Sequence, residues 1–231
     1  MTDGKEFSDT SEGLRRLLED KNVLLLDFDG PICSVFSGVP APRIAGQLRE
    51  VLASCGHIRL PPEVENSADP FSVLRHAVTL GRHEGDIVEE TLRACEVKSV
   101  ASAEPTPGAE ILIESWRSQR QHVAVVTNNS EHAVSVFLKR TGLYGLVAIF
   151  GRTGSDPEKL KPSPYLISKA IGSVGCGPES ALMVGDSVTD VQAAQEAGVA
   201  CVGFANKPSK VTALASADLV ITRMSLLTEA L

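Results

Sequence analysis

Short, unbroken apolar runs constrain the fold of this chain more than any other feature of its sequence. They lie at Val23 to Leu26, Val123 to Val126, Val147 to Phe150, Ala181 to Val184, Ala200 to Gly203 and Leu219 to Ile221. Runs of this length without polar alternation belong to strands buried on both faces, the habit of parallel sheets. Most are separated by stretches of helical period, so strand and helix alternate, and the expected fold class is α/β with a doubly wound parallel sheet. Helix punctuation agrees: Ser130 is placed to cap a helix that stops at Gly142, Ser163 with Pro164 to open another, and Ser187 to open one that stops at Gly198. A polar tail and a short amphipathic helix carrying Leu14, Leu17 and Leu18 precede the first run. Ligands of open parallel sheets bind beyond the carboxyl ends of the strands. The polar residues expected there are Asp27, Thr127 and Asp186.

Residues 34–104 break this rhythm. Apolar residues recur at helical spacing through Ile44, Leu48, Val51 and Leu52, then Phe71, Leu74 and Val78, then Ile87, Val88, Leu92 and Cys95. Pro42 and Pro70 suit first helical turns, Asp69 suits a cap, and Gly56 and Gly81 suit helix ends. The expected organisation is therefore a core of residues 1–33 and 105–231 interrupted by a helical insert over 34–104. Gly38-Val39-Pro40 and Pro105-Thr106-Pro107-Gly108 read as its hinges.

Bulk properties narrow the function classes. A chain of 231 residues, 43% hydrophobic and 22% charged, can bury a core of one compact body with a modest insert. A net charge of −7 repels nucleic acid and anionic membrane surfaces, so neither is an expected partner. No apolar run approaches the about 18 residues of a membrane span. Cys33, Cys55, Cys95, Cys176 and Cys201 are widely spaced with no CxxC pair, which fits free thiols in a reducing compartment and a soluble cytoplasmic protein.

Chemistry is concentrated in Asp27-Phe28-Asp29-Gly30, Thr127-Asn128-Asn129, Lys161-Pro162, and Gly185-Asp186-Ser187-Val188-Thr189-Asp190. A carboxylate nucleophile such as Asp27 meets a phosphate ester only if a cation offsets their repulsion. Magnesium takes oxygen ligands and keeps several waters, so Asp27, the carbonyl of Asp29 and the carboxylate of Asp186 make an incomplete shell that water and phosphate would complete. Thr127 and neighbouring amides offer hydrogen bonds to the phosphoryl oxygens, Gly30 permits a tight turn beside them, and Lys161 supplies a point charge to Asp27 and the phosphoryl group. Asp190, one helical turn beyond Asp186, is placed to orient the metal ligands from behind. Lys159 is read as a surface residue, and Ser163 and Ser187 as helix caps, because neither lies in a GxSxG elbow. His57, His76, His83, His122 and His132 show no ligand spacing, and Gly172 to Gly177 is read as a loop. Arg43, Arg75, Arg82 and His83 of the insert stand outside the catalytic set.

In order and residue type, these segments resemble the motifs of the haloacid dehalogenase-like hydrolase superfamily, and the insert resembles its helical cap. The closest layout is that of phosphoglycolate-type and sugar-phosphate phosphatases. The resemblance implies a Rossmann-like core, Mg2+ as cofactor and a small phosphorylated metabolite as substrate. It makes Asp27, Asp29, Thr127 and Lys161 the catalytic residues, with Gly30, Thr127, Asn128 and Lys161 on the phosphate and Asp27, Asp29 and Asp186 on the metal. In the family's pattern Asp29 protonates the leaving alcohol and then activates water. Pro31 departs from the family's common DxDGT, removing one backbone donor and stiffening the loop. A phosphomutase shares this core, and a non-catalytic binding protein could keep the fold. A dehalogenase would lack the second carboxylate, Asp29.

Overall fold

The computed structural model describes residues 3–120 and 122–231, with side chains from Ser11 onward. One sheet carries β1 (Val23–Leu26), β2 (His122–Ser130), β3 (Ala148–Arg152), β4 (Ala181–Gly185), β5 (Ala200–Phe204) and β6 (Leu219–Ile221), in the order β3-β2-β1-β4-β5-β6. Every pairing is parallel, and the central β1 aligns Leu25 with Ala124 of β2 and Met183 of β4. The chain runs outward from β1 to β3, then crosses back to β4 and runs outward again. That reversal opens a crevice at the carboxyl ends of β1 and β4.

The helices are α1 (Asp3–Leu18), α2 (Ala41–Ser54), α3 (Pro62–Glu65), α4 (Pro70–Leu80), α5 (Arg82–Val100), α6 (Ala109–Arg120), α7 (Glu131–Thr141), α8 (Tyr165–Ser173), α9 (Val188–Glu196), α10 (Pro208–Ala213) and α11 (Ser225–Ala230). Successive residues of β1 feed opposite cores, which is why its apolar run is unbroken. Leu24 and Leu26 pack with α1, α6, α7 and α11 through Leu14, Trp116, Phe137 and Leu227. Val23 and Leu25 pack with α8 and α9 through Ile167, Ala194 and Val191. Helices on both faces make the sheet doubly wound, as the sequence implies.

Caps fall where the residue types allow them. Ser130 caps α7, which stops at Gly142 (φ 78°), and Ser187 caps α9 in a capping box with Asp190. Ser163 lies one residue before the cap of α8, which is Pro164; its hydroxyl accepts the Tyr165 N–H at 3.4 Å. The polar stretch before Leu14 is not a tail but the first turns of α1, which begins at Asp3. The five cysteines are free, and burial pushes the thiols of Cys33 and Cys201 upward, away from the reactive thiolate.

Residues of α2, α3, α4 and α5 bury a third apolar cluster, built on Ile44, Leu48, Leu74, Val88 and Leu92 and joined by Leu160 from the loop after β3. α3 has no counterpart in the periodicity because it is only one turn long. Asp69 caps α4 by accepting the Phe71 N–H at 2.9 Å. α5 also faces the sheet core. Its buried Glu89 and Glu96 both pair with Arg152 at the end of β3, the Glu96 contact at 2.7 Å. The segment after α5 is held too, because Thr106 donates through N–H to Ile32 O at 2.8 Å and through Oγ1 to Gly30 O at 2.5 Å.

Removing one member of a buried ion network leaves the other charges unpaired, which costs far more than replacing the whole network. Arg152→Met is expected to lower unfolding stability by about 3–5 kcal/mol, read from the urea midpoint, because it strands two buried glutamates. A loss of under about 1 kcal/mol would show that water compensates those carboxylates.

Candidate active site

Asp27 follows β1 directly, and its N–H bonds Val184 O at 2.9 Å, so the strand's alignment with β4 carries through to the carboxylate. The Asp27 side chain is 11% exposed. Lys161 Nζ lies 2.8 Å from Asp27 Oδ1, and the same ammonium bonds Val126 O at 3.0 Å and Asp190 Oδ1. Two of the ammonium's three donors go to Val126 O and Asp190 Oδ1, and its contact with Asp27 is an ion pair. The approach to Asp27 Oδ1 lacks hydrogen-bond geometry, so this buried oxygen is left without a hydrogen-bond partner. Lys159, by contrast, is half-exposed and paired with Asp156 at 3.1 Å, well apart from this chemistry.

Asp186 follows β4 and lies over Gly30. A Cβ on Gly30 would come within 2.3 Å of the Asp186 carboxyl carbon, and its φ is +109°, so no side chain fits there. The Gly30 N–H is taken by Cys33 O at 2.7 Å. That bond closes the turn, and the missing side chain lets Asp186 approach. Pro31 sits inside that turn. Asp186 Oδ2 receives Lys210 of α10, with Asn206 Nδ2 at 3.4 Å.

Asp190 is fully buried, and its Oδ2 accepts the N–H groups of Asp186 at 3.2 Å and Ser187 at 3.0 Å and the Ser187 hydroxyl at 2.6 Å. With Oδ1 on Lys161, both of its oxygens are engaged. Carboxylate oxygens of Asp27, Asp186 and Asp190 lie within 4.8 Å of one another. The donor set fits a hard cation: all oxygen, with a buried Asp27 Oδ1 that lacks a hydrogen bond. Asp27 and Asp186 have the oxygens to give, while Asp190 braces them.

On β2, the Thr127 hydroxyl is buried and shared with Asn129 at 3.2 Å. Asn128 clasps the backbone of Lys161, donating to its O at 3.1 Å and accepting its N–H at 2.8 Å. Its side-chain amide thus places Lys161, while Asn128 itself lines the site cavity. Glu96 reaches the same loop from α5, accepting from Asn129 Nδ2 at 3.1 Å and the Ser130 N–H at 3.0 Å. Arg152 Nε donates to Asn128 O at 3.1 Å. The sequence reading missed Glu96, Arg152 and Lys210, and gave Asn129 only as part of the Thr127 segment. Of the three missed, Arg152 carried a signal, since it lies just beyond an apolar run.

These groups open on a cavity of about 270 Å3, to which the helical insert adds Phe36, Asp69, Phe71 and Arg75. Arg75 pairs with Asp69 at 3.1 Å, and both side chains are half-exposed. Of the other basic residues considered in the insert, Arg82 lines a separate cavity beside Lys169, and Arg43 and His83 are exposed elsewhere. Among the described residues no helix is long and apolar enough to cross a membrane.

A haloacid dehalogenase-like hydrolase profile matches residues 72–204. The chain belongs to the haloacid dehalogenase-like hydrolase family. Within that family it is similar to phosphoglycolate phosphatases: that of Thiobacillus denitrificans is 28% identical over 71% of this chain and 72% of its own. That of Neisseria meningitidis is 27% identical over 87% of each chain. Among solved structures, CbbY from Rhodobacter sphaeroides in complex with phosphate shares the fold with a TM-score of 0.64 at 20% identity, covering 89% of this chain and 95% of that one. A subfamily IA hydrolase of the superfamily from Geobacter sulfurreducens does so with a TM-score of 0.57 at 22% identity, covering 91% and 96%.

Burial and the converging carboxylates set the protonation of the site. Asp27 is held above the usual carboxylate range by burial first and by Asp190 second, against the pull of Lys161. Burial alone would lower the pKa of Lys161, but Asp190 and Asp27 outweigh it and keep the ammonium charged. Burial raises Asp29 from 3.8 to about 6, although its Oδ1 accepts the Val35 N–H at 2.8 Å. The native state thus holds a proton on Asp29 that the unfolded chain has released, so this group's contribution is greatest at low pH and is lost as pH rises through about 6. In metal-free protein, Asp29→Asn is expected to raise Tm by an amount that grows from about pH 4 to about pH 6 and then levels off. A difference that shrinks with rising pH would show that Asp29 is ionised in the native state throughout.

Proposed function

We propose that the chain is a magnesium-dependent phosphatase that hydrolyses small, acidic phosphate monoesters through a phosphorylated Asp27. The observation that carries this reading is the convergence of Asp27, Asp29, Thr127, Lys161 and Asp186 on one cavity at the carboxyl edge of the sheet. Asp27, Asp186 and the carbonyl of Asp29 would hold the ion, which would offset the charge of phosphate as it meets a carboxylate. Asp27 attacks phosphorus and displaces the alkoxide. Asp29, whose raised pKa keeps a proton available near neutrality, gives that proton to the leaving oxygen. Having lost it, Asp29 takes a proton from water, which attacks the aspartyl phosphate and frees Asp27. Lys161 neutralises Asp27 throughout, and the Thr127 hydroxyl turns from Asn129 to a phosphoryl oxygen.

Substrate selection falls to the helical insert, acting as a cap over the core. A cavity of about 270 Å3 suits a phosphate ester of a few carbons, and Arg75 offers a guanidinium to an acidic group on the leaving side. The phosphoglycolate phosphatases among its relatives support a carboxylated substrate of this kind.

Phosphate release from a panel of phosphorylated small acids and sugars, with and without magnesium, tests the reading. Turnover should require magnesium and fall at least about a thousandfold in Asp27→Asn. Turnover that survives that change, or isomer formation without phosphate release, would sink it. Arg75→Gln should raise KM for acidic esters about tenfold while leaving kcat and the hydrolysis of p-nitrophenyl phosphate nearly unchanged. Equal effects on both substrates would remove Arg75 from substrate recognition.

A further inference from the structure

Asp27, Asp29 and Asp186 line this site, Asp190 is buried behind them, and two lysines reach these carboxylates. Lys161 is buried and divided between Asp27 and Asp190, so it has nothing to spare for Asp186. The cation on Asp186 is Lys210, which lies outside every motif the sequence displays. Its side chain is 29% exposed and that of Asp186 is 13% exposed. The root of Lys210 is fixed. Its N–H bonds Lys207 O at 3.0 Å, its carbonyl accepts the Leu214 N–H at 2.9 Å, and Leu214 is buried against Gly203, where an added Cβ would lie 2.9 Å from that of Leu214. A rigid base therefore carries a flexible stem, and its charged head rests on a carboxylate that is positioned to bind an ion.

An ion held by Asp27 and Asp186 would meet this ammonium on a shared ligand, where two positive charges repel strongly. We infer that Lys210 is a tethered counter-ion: it occupies Asp186 when no divalent ion is present and must release that carboxylate for the ion to bind. This inference rests on the metal assignment above. Asp186 stays over Gly30 in either state, so the exchange replaces one cation by another without rebuilding the loop. The cost of displacing Lys210 sets the metal affinity below what the carboxylates alone would reach.

Titration calorimetry of magnesium into metal-free protein tests this directly, without substrate. Lys210→Met should bind magnesium about tenfold or more tightly than wild type, the scale of removing a unit charge beside a divalent ion. Metal-free Lys210→Met should also melt lower and gain more in Tm from magnesium. Lys210→Arg, which keeps the charge, should bind like wild type. Lys210→Gln, which keeps a hydrogen-bond donor on Asp186, provides the neutral variant should the methionine fail to fold. Equal or weaker binding by the neutral variants overturns the exchange while leaving the metal site standing. Absence of binding by every form overturns both.

Discussion

The buried ammonium of Lys161 is the contact on which the rest of the site depends. An ionised carboxylate taken from water costs several kcal/mol unless a partner compensates it, and Asp27 and Asp190 are both buried here. One lysine compensates both and also bonds the β2 carbonyl of Val126, so β2, the end of β1 and the first turn of α9 close on a single charge. Asn128 fixes that lysine's backbone, and Asp190 passes its constraint to Asp186 through the cap of α9. The carboxyl edge of the sheet is thus drawn together by the chain's own charges.

The strands and most helix ends were legible because each has a local cause. Burial on both faces removes polar alternation from a strand, and a serine before a helix or a glycine after it satisfies backbone groups that would otherwise go unpaired. The site residues were legible as types at the ends of those runs. Their hydrogen-bond assignments were not, because these depend on segments far apart in sequence. The side-chain amide of Asn128 pairs with the backbone of Lys161, and the Gly30 N–H with Cys33 O, partners that the sequence does not display. Glu96 looks like an ordinary helix-surface glutamate until α5 is laid against β2, where its carboxylate becomes fully buried. Lys210 gave no sign at all, since a lysine in a short polar helix is most often solvated.

Pro31, the departure from the family's common motif, fits the turn it occupies. The turn is closed by Gly30 N–H on Cys33 O and by Thr106 on Gly30 O, and neither contact draws on a donor from position 31. Proline's missing N–H is therefore no loss to the turn itself. A rigid turn here also supports the close approach of Asp186 to Gly30, which leaves no room for adjustment.

The buried pairing of Arg152 with Glu89 and Glu96 bears on how such an enzyme can be remodelled. Families of this architecture invite the exchange of one helical insert for another as a route to new specificity. In this chain the core presents a guanidinium whose charge is met by two glutamates seven residues apart on α5. A foreign insert lacking them would leave a lone buried cation behind the phosphate loop, so insert and core form a matched lock and key that must be inherited, or engineered, as one unit.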